Sequence, residues 1–257
     1  MLWCATASSL VALVLLPAAA NQTEVDLELV LAVDNSDSMT QAELTLQRQG
    51  YVAALLHPEI AEAVRAGARG TIALTYVEWA APGRQRVVVP WTLIDGSASA
   101  QSFARLLLSR PEASLDGTSI SAALTFSALL IESNGFVADR RVIDISGDGP
   151  NNMGPLIVPV RNRLVQRGIT INGLPITLHR GAFQIPEIAD YYRDCVIGGP
   201  DAFLIRAVGT ASFEEAIRRK LTTEIAGRTP TMRFAAVGGP APASDCQIGE
   251  KLGGGAR

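Results

Sequence analysis

The chain predicts an α/β fold with a doubly wound, mainly parallel sheet and one antiparallel edge hairpin, on three observations. Short β-rich runs alternate with helical patterns along most of the 257 residues, the order that builds parallel sheets. The first run, Val25 to Val33 (VDLELVLAV), turns continuously apolar toward its end, as a strand buried on both faces does. Two further runs, Thr71 to Trp79 and Arg86 to Trp91, are separated by a short link containing Ala81-Pro82-Gly83, which is long enough only for an antiparallel hairpin.

The elements follow in order. After the first strand, Thr40-Gln41-Ala42-Glu43 is a capping box, in which hydroxyl and carboxylate answer free amides at a helix start. Leu44, Tyr51, Val52, Leu55 and Leu56 recur at helical spacing before Pro58. The hairpin comes next. Ser97 to Leu108 and Ser119 to Ile131 read as helices, and Arg141 to Ser146 (RVIDIS) as a strand that ends in Gly147-Asp148-Gly149. Pro155 suits the first turn of a helix reaching Arg167 and stopped by Gly168. Ile169 to Leu174 is a strand, Ile185 to Asp194 a short helix and Ala202 to Val208 the last strand. Ser212-Phe213-Glu214-Glu215 is a second capping box, opening a helix to about Ala226. Beyond Thr229 the chain is rich in Gly, Pro and Ala, and Gly253-Gly254-Gly255 predicts disorder. No internal repeat is visible.

Composition narrows the function. Hydrophobic residues make up 48% of the chain and charged ones 18%, enough to build a large core and too apolar for global disorder. A net charge of −3 gives no basic face for nucleic acid.

Residues 1–20 read as a signal peptide. Leu10 to Leu16 is apolar and too short to span a bilayer, and Pro17-Ala18-Ala19-Ala20 supplies the helix break and small residues of a cleavage site. No Lys or Arg precedes the apolar run, so an uncleaved N-terminal anchor is the alternative. No later segment is long and apolar enough to be transmembrane. The expected organisation is therefore a leader over 1–20, one domain over 21–228 and a Gly/Pro-rich tail over 229–257. The product is exported, to the periplasm or the extracellular space. Asn21-Gln22-Thr23 fits a glycosylation sequon but falls at the new terminus, where it carries little weight.

Loss of the leader removes Cys4 and leaves Cys195 and Cys246. In an oxidising compartment these two allow one intramolecular disulfide, which would pin the tail to the domain. Two unrelated thiols are the alternative.

In doubly wound sheets ligands bind beyond the carboxyl ends of the strands, so the residues after each strand carry the chemistry. After the first strand stands Asp34-Asn35-Ser36-Asp37-Ser38, where a dinucleotide-binding fold would place Gly-x-Gly-x-x-Gly. Asp116-Gly117-Thr118 precedes the helix at Ser119, and Gly147-Asp148-Gly149 follows the strand at Arg141. If the three loops share one rim, three hydroxyls (Ser36, Ser38, Thr118) and two carboxylates (Asp34, Asp148) converge. An all-oxygen set of that number suits Mg²⁺ first, Mn²⁺ next and Ca²⁺ less well. Neutral hydroxyls leave the ion's charge poorly quenched, which favours capture of an outside carboxylate.

D-x-S-x-S after the first strand, a Thr on the second loop and an Asp on the third resemble the metal-ion-dependent adhesion site of von Willebrand factor A and integrin I domains. Asp34, Ser36, Ser38, Thr118 and Asp148 match that motif residue by residue, and the element order matches from about Val25 to Ala226. The resemblance implies a three-layer sandwich, hydroxyls in direct contact with the metal and aspartates acting often through water. SGDGPNN (Ser146 to Asn152) and YYRDCVIGGPDAF (Tyr191 to Phe203) further resemble a bacterial family of exported proteins of this type with no assigned function. Two departures stand out. Ser-Gly-Asp-Gly replaces the Thr-Asp-Gly of many relatives, and Asp144 occupies a strand position where an apolar residue is usual. Asp144 shares strand parity with Ser146 and Asp148, which suggests a supporting role toward the site.

Other chemistries fit less well. An EF-hand reading of Asp34 fails because Met39 and Thr45 stand where Gly and Glu are needed. No G-x-S-x-G elbow is present. Of the two histidines, His57 reads as a cap on helix carbonyls and His179 as a solvated loop residue. No His/Cys cluster suggests zinc. A phosphohydrolase with Asp34 as nucleophile is the enzymatic alternative. It lacks a second Asp two residues on, where Ser36 stands, and the only lysines are 220 and 251. Arg218-Arg219-Lys220 reads as a solvated face of the last helix. Trp79 and Trp91 read as core or edge aromatics of the hairpin. The expected function is cation-dependent recognition of a protein or other carboxylate-bearing ligand without catalysis. A structural envelope protein with a vestigial site is the third reading.

Overall fold

The computed structural model describes residues 22–112, 114–178, 185, 187–227 and 244–253. Residues 1–21 (the expected leader among them), His179, the chain from 228 to 243 and residues 254–257 lie outside the described residues.

The central strand β1 (Thr23–Asp34) is 12 residues long and buried over almost its whole length. Its alternate residues feed two separate cores. Leu27, Leu29, Leu31 and Val33 face one layer, Val30 and Ala32 the other, as period-2 geometry requires. The capping box at Thr40 forms as predicted, with Thr40 Oγ1 accepting from Glu43 N and Glu43 Oε2 accepting from Thr40 N at 2.8 Å. It opens α1 (Gln41–Leu56). Pro58 does more than stop that helix. It starts α2 (Pro58–Arg65), an element the sequence pattern missed. His57 is accordingly not a cap on carbonyls: its Nδ1 accepts from Glu59 N at 3.4 Å at the new helix's start.

The hairpin is β2 (Ile72–Trp79) and β3 (Gln85–Ile94), paired antiparallel at the sheet edge. Its register shifts so that Pro90 and Trp91 oppose the single residue Thr75, a bulge that suits a residue without an N–H. Trp79 is fully buried, and Trp91 donates Nε1–H to Leu130 O at 3.2 Å. Then come α3 (Ser97–Leu108), α4 (Ile120–Glu132), β4 (Phe136–Gly147) and α5 (Ile157–Gln166). Pro155 falls two residues before α5, and Pro159 occupies its first turn instead. β5 (Thr170–Thr177) leads to a four-residue α6 (Ile188–Tyr191) that widens into a π-helical turn over Tyr192–Val196.

The last strand is shorter than predicted. Only Ala207–Val208 forms β6, with Leu204 adding an isolated bridge to Gly173. A 3₁₀ turn, Thr210–Ser212, precedes α7 (Phe213–Ala226). Ser212 does not make the predicted capping box, because its hydroxyl donates to Val208 O at 2.6 Å inside that turn. Gly227, at φ +62, closes α7. Finally α8 (Ile248–Gly253) brings part of the tail, including Gly253, into a helix.

The sheet order is β3-β2-β1-β4-β5-β6, parallel except for the β2–β3 pair. Helices α1, α2, α3 and α7 cover one face and α4, α5 and α6 the other, giving the three layers expected. No helix among the described residues is long and apolar enough to cross a membrane. Chain direction across the sheet reverses between β1 and β4, so a crevice opens where these two strands end.

Two further residues contradict their sequence reading. Lys220 is not on a solvated face: it is 1% exposed and salt-bridged to Asp144 at 2.5 Å and to Glu224 at 2.5 Å. Asp144 therefore supports α7 and not the loops at the strand ends. Burial pushes Glu224 up to about 7, with the charge on Asp144 adding to the rise and Lys220 and Asn172 opposing it.

Candidate metal centre

The crevice between β1 and β4 holds the residues singled out by sequence. Asp34 ends β1, and Gln47 from α1 fastens that end by donating Nε2–H to Asp34 O at 2.9 Å. The next residue of α1, Arg48, forms a buried ion pair with Glu78 of β2, and Asn35 reaches the same carboxylate at 3.4 Å. The β1–α1 loop is thus braced from below by side chains of two neighbouring elements.

Within the loop the chain folds back on its own carboxylate. Asp34 Oδ1 accepts from Ser36 N at 2.8 Å, an Asx turn. The Ser36 and Ser38 hydroxyls are 2.9 Å apart, and Ser38 Oγ donates to Asp148 Oδ1 at 2.7 Å. Four of the five predicted residues are therefore joined in one hydrogen-bonded chain from β1 to the loop after β4. Thr118 approaches from the second loop. Its carbonyl accepts from Asn152 N at 3.0 Å and Met153 N at 3.2 Å, while its N–H donates to Asn152 Oδ1 at 3.1 Å. Thr118 and Ser38 line one cleft of about 250 Å³. Gly117, at φ +79, makes the turn that brings Thr118 in.

The electrostatics are those of an under-compensated anion site. Asp34 is fully buried, and its Oδ2 makes no hydrogen bond of ordinary geometry. Burial pushes its pKa up to about 8; the charge on Asp148 adds to the rise, while Ser36 and the Asp148 backbone oppose it. The carboxylates of Asp34 and Asp148 and the hydroxyls of Ser36 and Ser38, with Thr118 on the same cleft as Ser38, are oxygen groups of the kind a hard divalent cation takes. Among the described residues no group of three or more His, Cys, Asp or Glu is placed to hold a metal, so such an ion would depend on the hydroxyls.

Residues that sequence reasoning missed complete the surroundings. A Cβ on Gly147 would meet Asp34 Oδ2 at 2.7 Å and Tyr192 Oη at 2.8 Å. That is the physical content of the Ser-Gly-Asp-Gly departure: the extra glycine makes room for a tyrosine hydroxyl beside the carboxylate. Asn151, in the same loop, donates Nδ2–H to Glu250 Oε1 at 2.8 Å and accepts from Ser121 N at 2.9 Å; its backbone N–H donates to Tyr191 Oη at 3.1 Å. Their sequence signals were the quoted strings SGDGPNN and YYRDC, without an assigned role. Cys195 and Cys246 are joined in a disulfide across 51 residues of sequence.

A family model described as "Protein of unknown function (DUF1194)" matches residues 24–229. No curated protein matches by sequence. Among solved structures, the chain is similar to the pilus adhesin SpaC from Lactobacillus rhamnosus GG, with TM-score 0.59, 13% identity and coverage of 80% of this chain and 31% of that one. Proximal thread matrix protein 1 from the mussel byssus, in a form with a zinc-occupied MIDAS motif, gives TM-score 0.54 at 12% identity, covering 80% of this chain and 49% of that one. The vWF domain of the type V pili tip protein Mfa5 from Porphyromonas gingivalis gives TM-score 0.53 at 11% identity, covering 79% and 96%. The chain spans about a third of the adhesin and half of the thread protein. At these identities the likeness concerns the fold, which is that of a von Willebrand factor A-type domain.

Proposed function

The chain belongs to the protein family of unknown function DUF1194, and from the cluster at the β1–β4 crevice we propose a divalent-cation-dependent binding module in an exported protein. Asp34, Ser36, Ser38, Thr118 and Asp148 would hold the ion, Mg²⁺ or Mn²⁺ by the hardness of an all-oxygen set and Ca²⁺ less readily. A bound ion would supply a positive charge that three directly coordinating neutral hydroxyls, with the aspartates acting through water, leave incompletely quenched. The chain's own part is to hold those oxygens in place, through Gln47, the Asx turn and the Asn152–Thr118 contacts. The observation that carries the reading is the hydrogen-bonded chain Asp34–Ser36–Ser38–Asp148, with the buried Asp34 Oδ2 beside it making no hydrogen bond of ordinary geometry.

Partner recognition through a carboxylate follows from the charge left over. Adhesin and pilus-tip proteins among the structural neighbours, and the zinc-occupied motif of the mussel protein, support the same reading. The leader and the Cys195–Cys246 disulfide support export. The phosphohydrolase alternative finds no lysine to steady phosphate, since Lys220 is paired with Asp144 and Glu224, and Lys251 with Asp245.

Calorimetric titration of Mg²⁺ and Mn²⁺ into the mature protein and its Asp34→Ala variant tests this. Binding by the native protein that the variant loses, with no turnover of phosphate esters, is the expected result. Turnover that depends on Asp34 replaces the binding reading with the enzymatic one. No binding in either protein leaves a vestigial site and overturns the proposal.

A further inference from the structure

The tail beyond the matched family region bears directly on the cleft. That cleft is lined by Ser38 and Thr118 from the candidate metal loops, by Pro150 and Asn152 from the third loop, and by Gly249 and Leu252 from α8. The C-terminal segment is therefore one of its walls.

Three contacts fix that wall, two of them from the YYRDC string, which also holds Asn151, the residue that makes the third. Cys195 is disulfide-bonded to Cys246. Asp194 Oδ2 accepts from Ser244 N at 2.9 Å. Tyr191 Oη accepts from Asn151 N at 3.1 Å, and the Asn151 side chain donates to Glu250 Oε1 at 2.8 Å. Gly249 then lies so close to Asn151 that a Cβ there would collide with the Asn151 carbonyl oxygen. The same string places Tyr192 Oη beside Gly147 and Asp34. One short stretch of chain thus couples the tail to the loop that carries Asp148.

The wall also has a chemical character. Leu252 is 48% exposed on the cleft, and Pro150 faces the same space from the third loop. A carboxylate reaching Ser38 and Thr118 through this cleft passes apolar surface that can cover an aliphatic group next to it.

We propose that residues 244–252, clamped by the Cys195–Cys246 disulfide, form a specificity-determining wall that favours carboxylates carried beside an aliphatic group. The proposal rests on the metal reading given above. Covering one branched aliphatic group predicts a preference of about tenfold over a bare carboxylate.

The test uses the Mn²⁺-loaded mature protein titrated with acetate and with 4-methylpentanoate, reading bound acid by water-proton relaxation of the bound Mn²⁺. The native protein is expected to favour 4-methylpentanoate by about tenfold. Leu252→Ser and the double variant Cys195→Ser/Cys246→Ser should both bring the two acids to within about twofold, with Mn²⁺ affinity kept. Circular dichroism reports whether the double variant folds; if it does not, Leu252→Ser alone decides. Equal affinities in the native protein, or a preference that survives Leu252→Ser, overturn the wall. A preference that survives in the folded double variant overturns the clamp. Failure of the native protein to bind Mn²⁺ removes the metal reading and this inference with it, and is recognised before any acid is added.

Discussion

Replacing Glu224 by Gln should make the protein more stable at neutral pH, although it removes a buried charge that touches a lysine. Lys220 faces two carboxylates, Asp144 and Glu224, and all three side chains are at most 1% exposed. One ammonium cannot neutralise both, and the guanidinium of Arg140 is turned to the backbone carbonyls of Glu224 and Ile225. Burial, with the charge on Asp144 adding to it, raises Glu224 from 4.5 to about 7, and Asp144 is itself raised by burial. A proton is then held more tightly in the folded chain than in the unfolded one. The stability that proton contributes is complete below about pH 4.5 and is lost as pH climbs through about 7. At 1.36 kcal/mol for each tenfold in proton affinity, the loss amounts to about 3 kcal/mol.

Glutamine keeps the acceptor oxygen for Asn172 and Lys220 and leaves a one-to-one Lys220–Asp144 pair. Urea unfolding followed by circular dichroism, in chelator and at steps from pH 4.5 to 8, measures the difference between variant and native protein. That difference should be near zero at pH 4.5 and grow to about 3 kcal/mol in favour of the variant above pH 7. Parallel stability curves across the range would refute the argument, since they would mean that Glu224 does not titrate between its two states.

Lys220→Met removes the ammonium and leaves both carboxylates, so it should destabilise by about 3–5 kcal/mol at pH 8 in the same assay. The loss should shrink toward pH 5, where the carboxylates can take up protons. Gly147→Ala drives a methyl group into Asp34 Oδ2 and Tyr192 Oη. It should weaken Mn²⁺ binding by about tenfold in calorimetry, and adding Tyr192→Phe should recover part of it by removing one of the two contacts.

The fold was legible because its signals are local and repeated. β1 reads as an apolar run, the Ala81–Gly83 link as a hairpin and Thr40–Glu43 as a cap, and each is found where it was expected. The candidate site was legible for a related reason. Parallel strands deliver their following loops to one rim, so Asp34, Thr118 and Asp148 could be grouped from element order alone. What stayed hidden depends on contacts distant in sequence. Lys220 looked solvated inside Arg218-Arg219-Lys220, yet it shares a helix face with Phe213, Ala216, Ile217, Leu221 and Glu224, all buried. That spacing, set against the odd Asp144 in an apolar strand, was the available clue. β6 was overestimated because apolar content without a long partner strand does not make a ladder. α2 is hidden in the sequence because Pro58 both ends one helix and begins the next, proline being equally suited to the first turn of a helix.

The two margins of the sheet have a consequence for how copies of this chain meet. One margin is β3, where Pro90 lacks an amide hydrogen and the bulge at Thr75 twists the strand. The other is β6, only two residues long. Neither presents a flat row of amides and carbonyls that a neighbour could extend by strand addition, the usual opening for fibrous aggregation. Crowded copies can therefore approach one another through side chains without their backbones merging into a shared sheet.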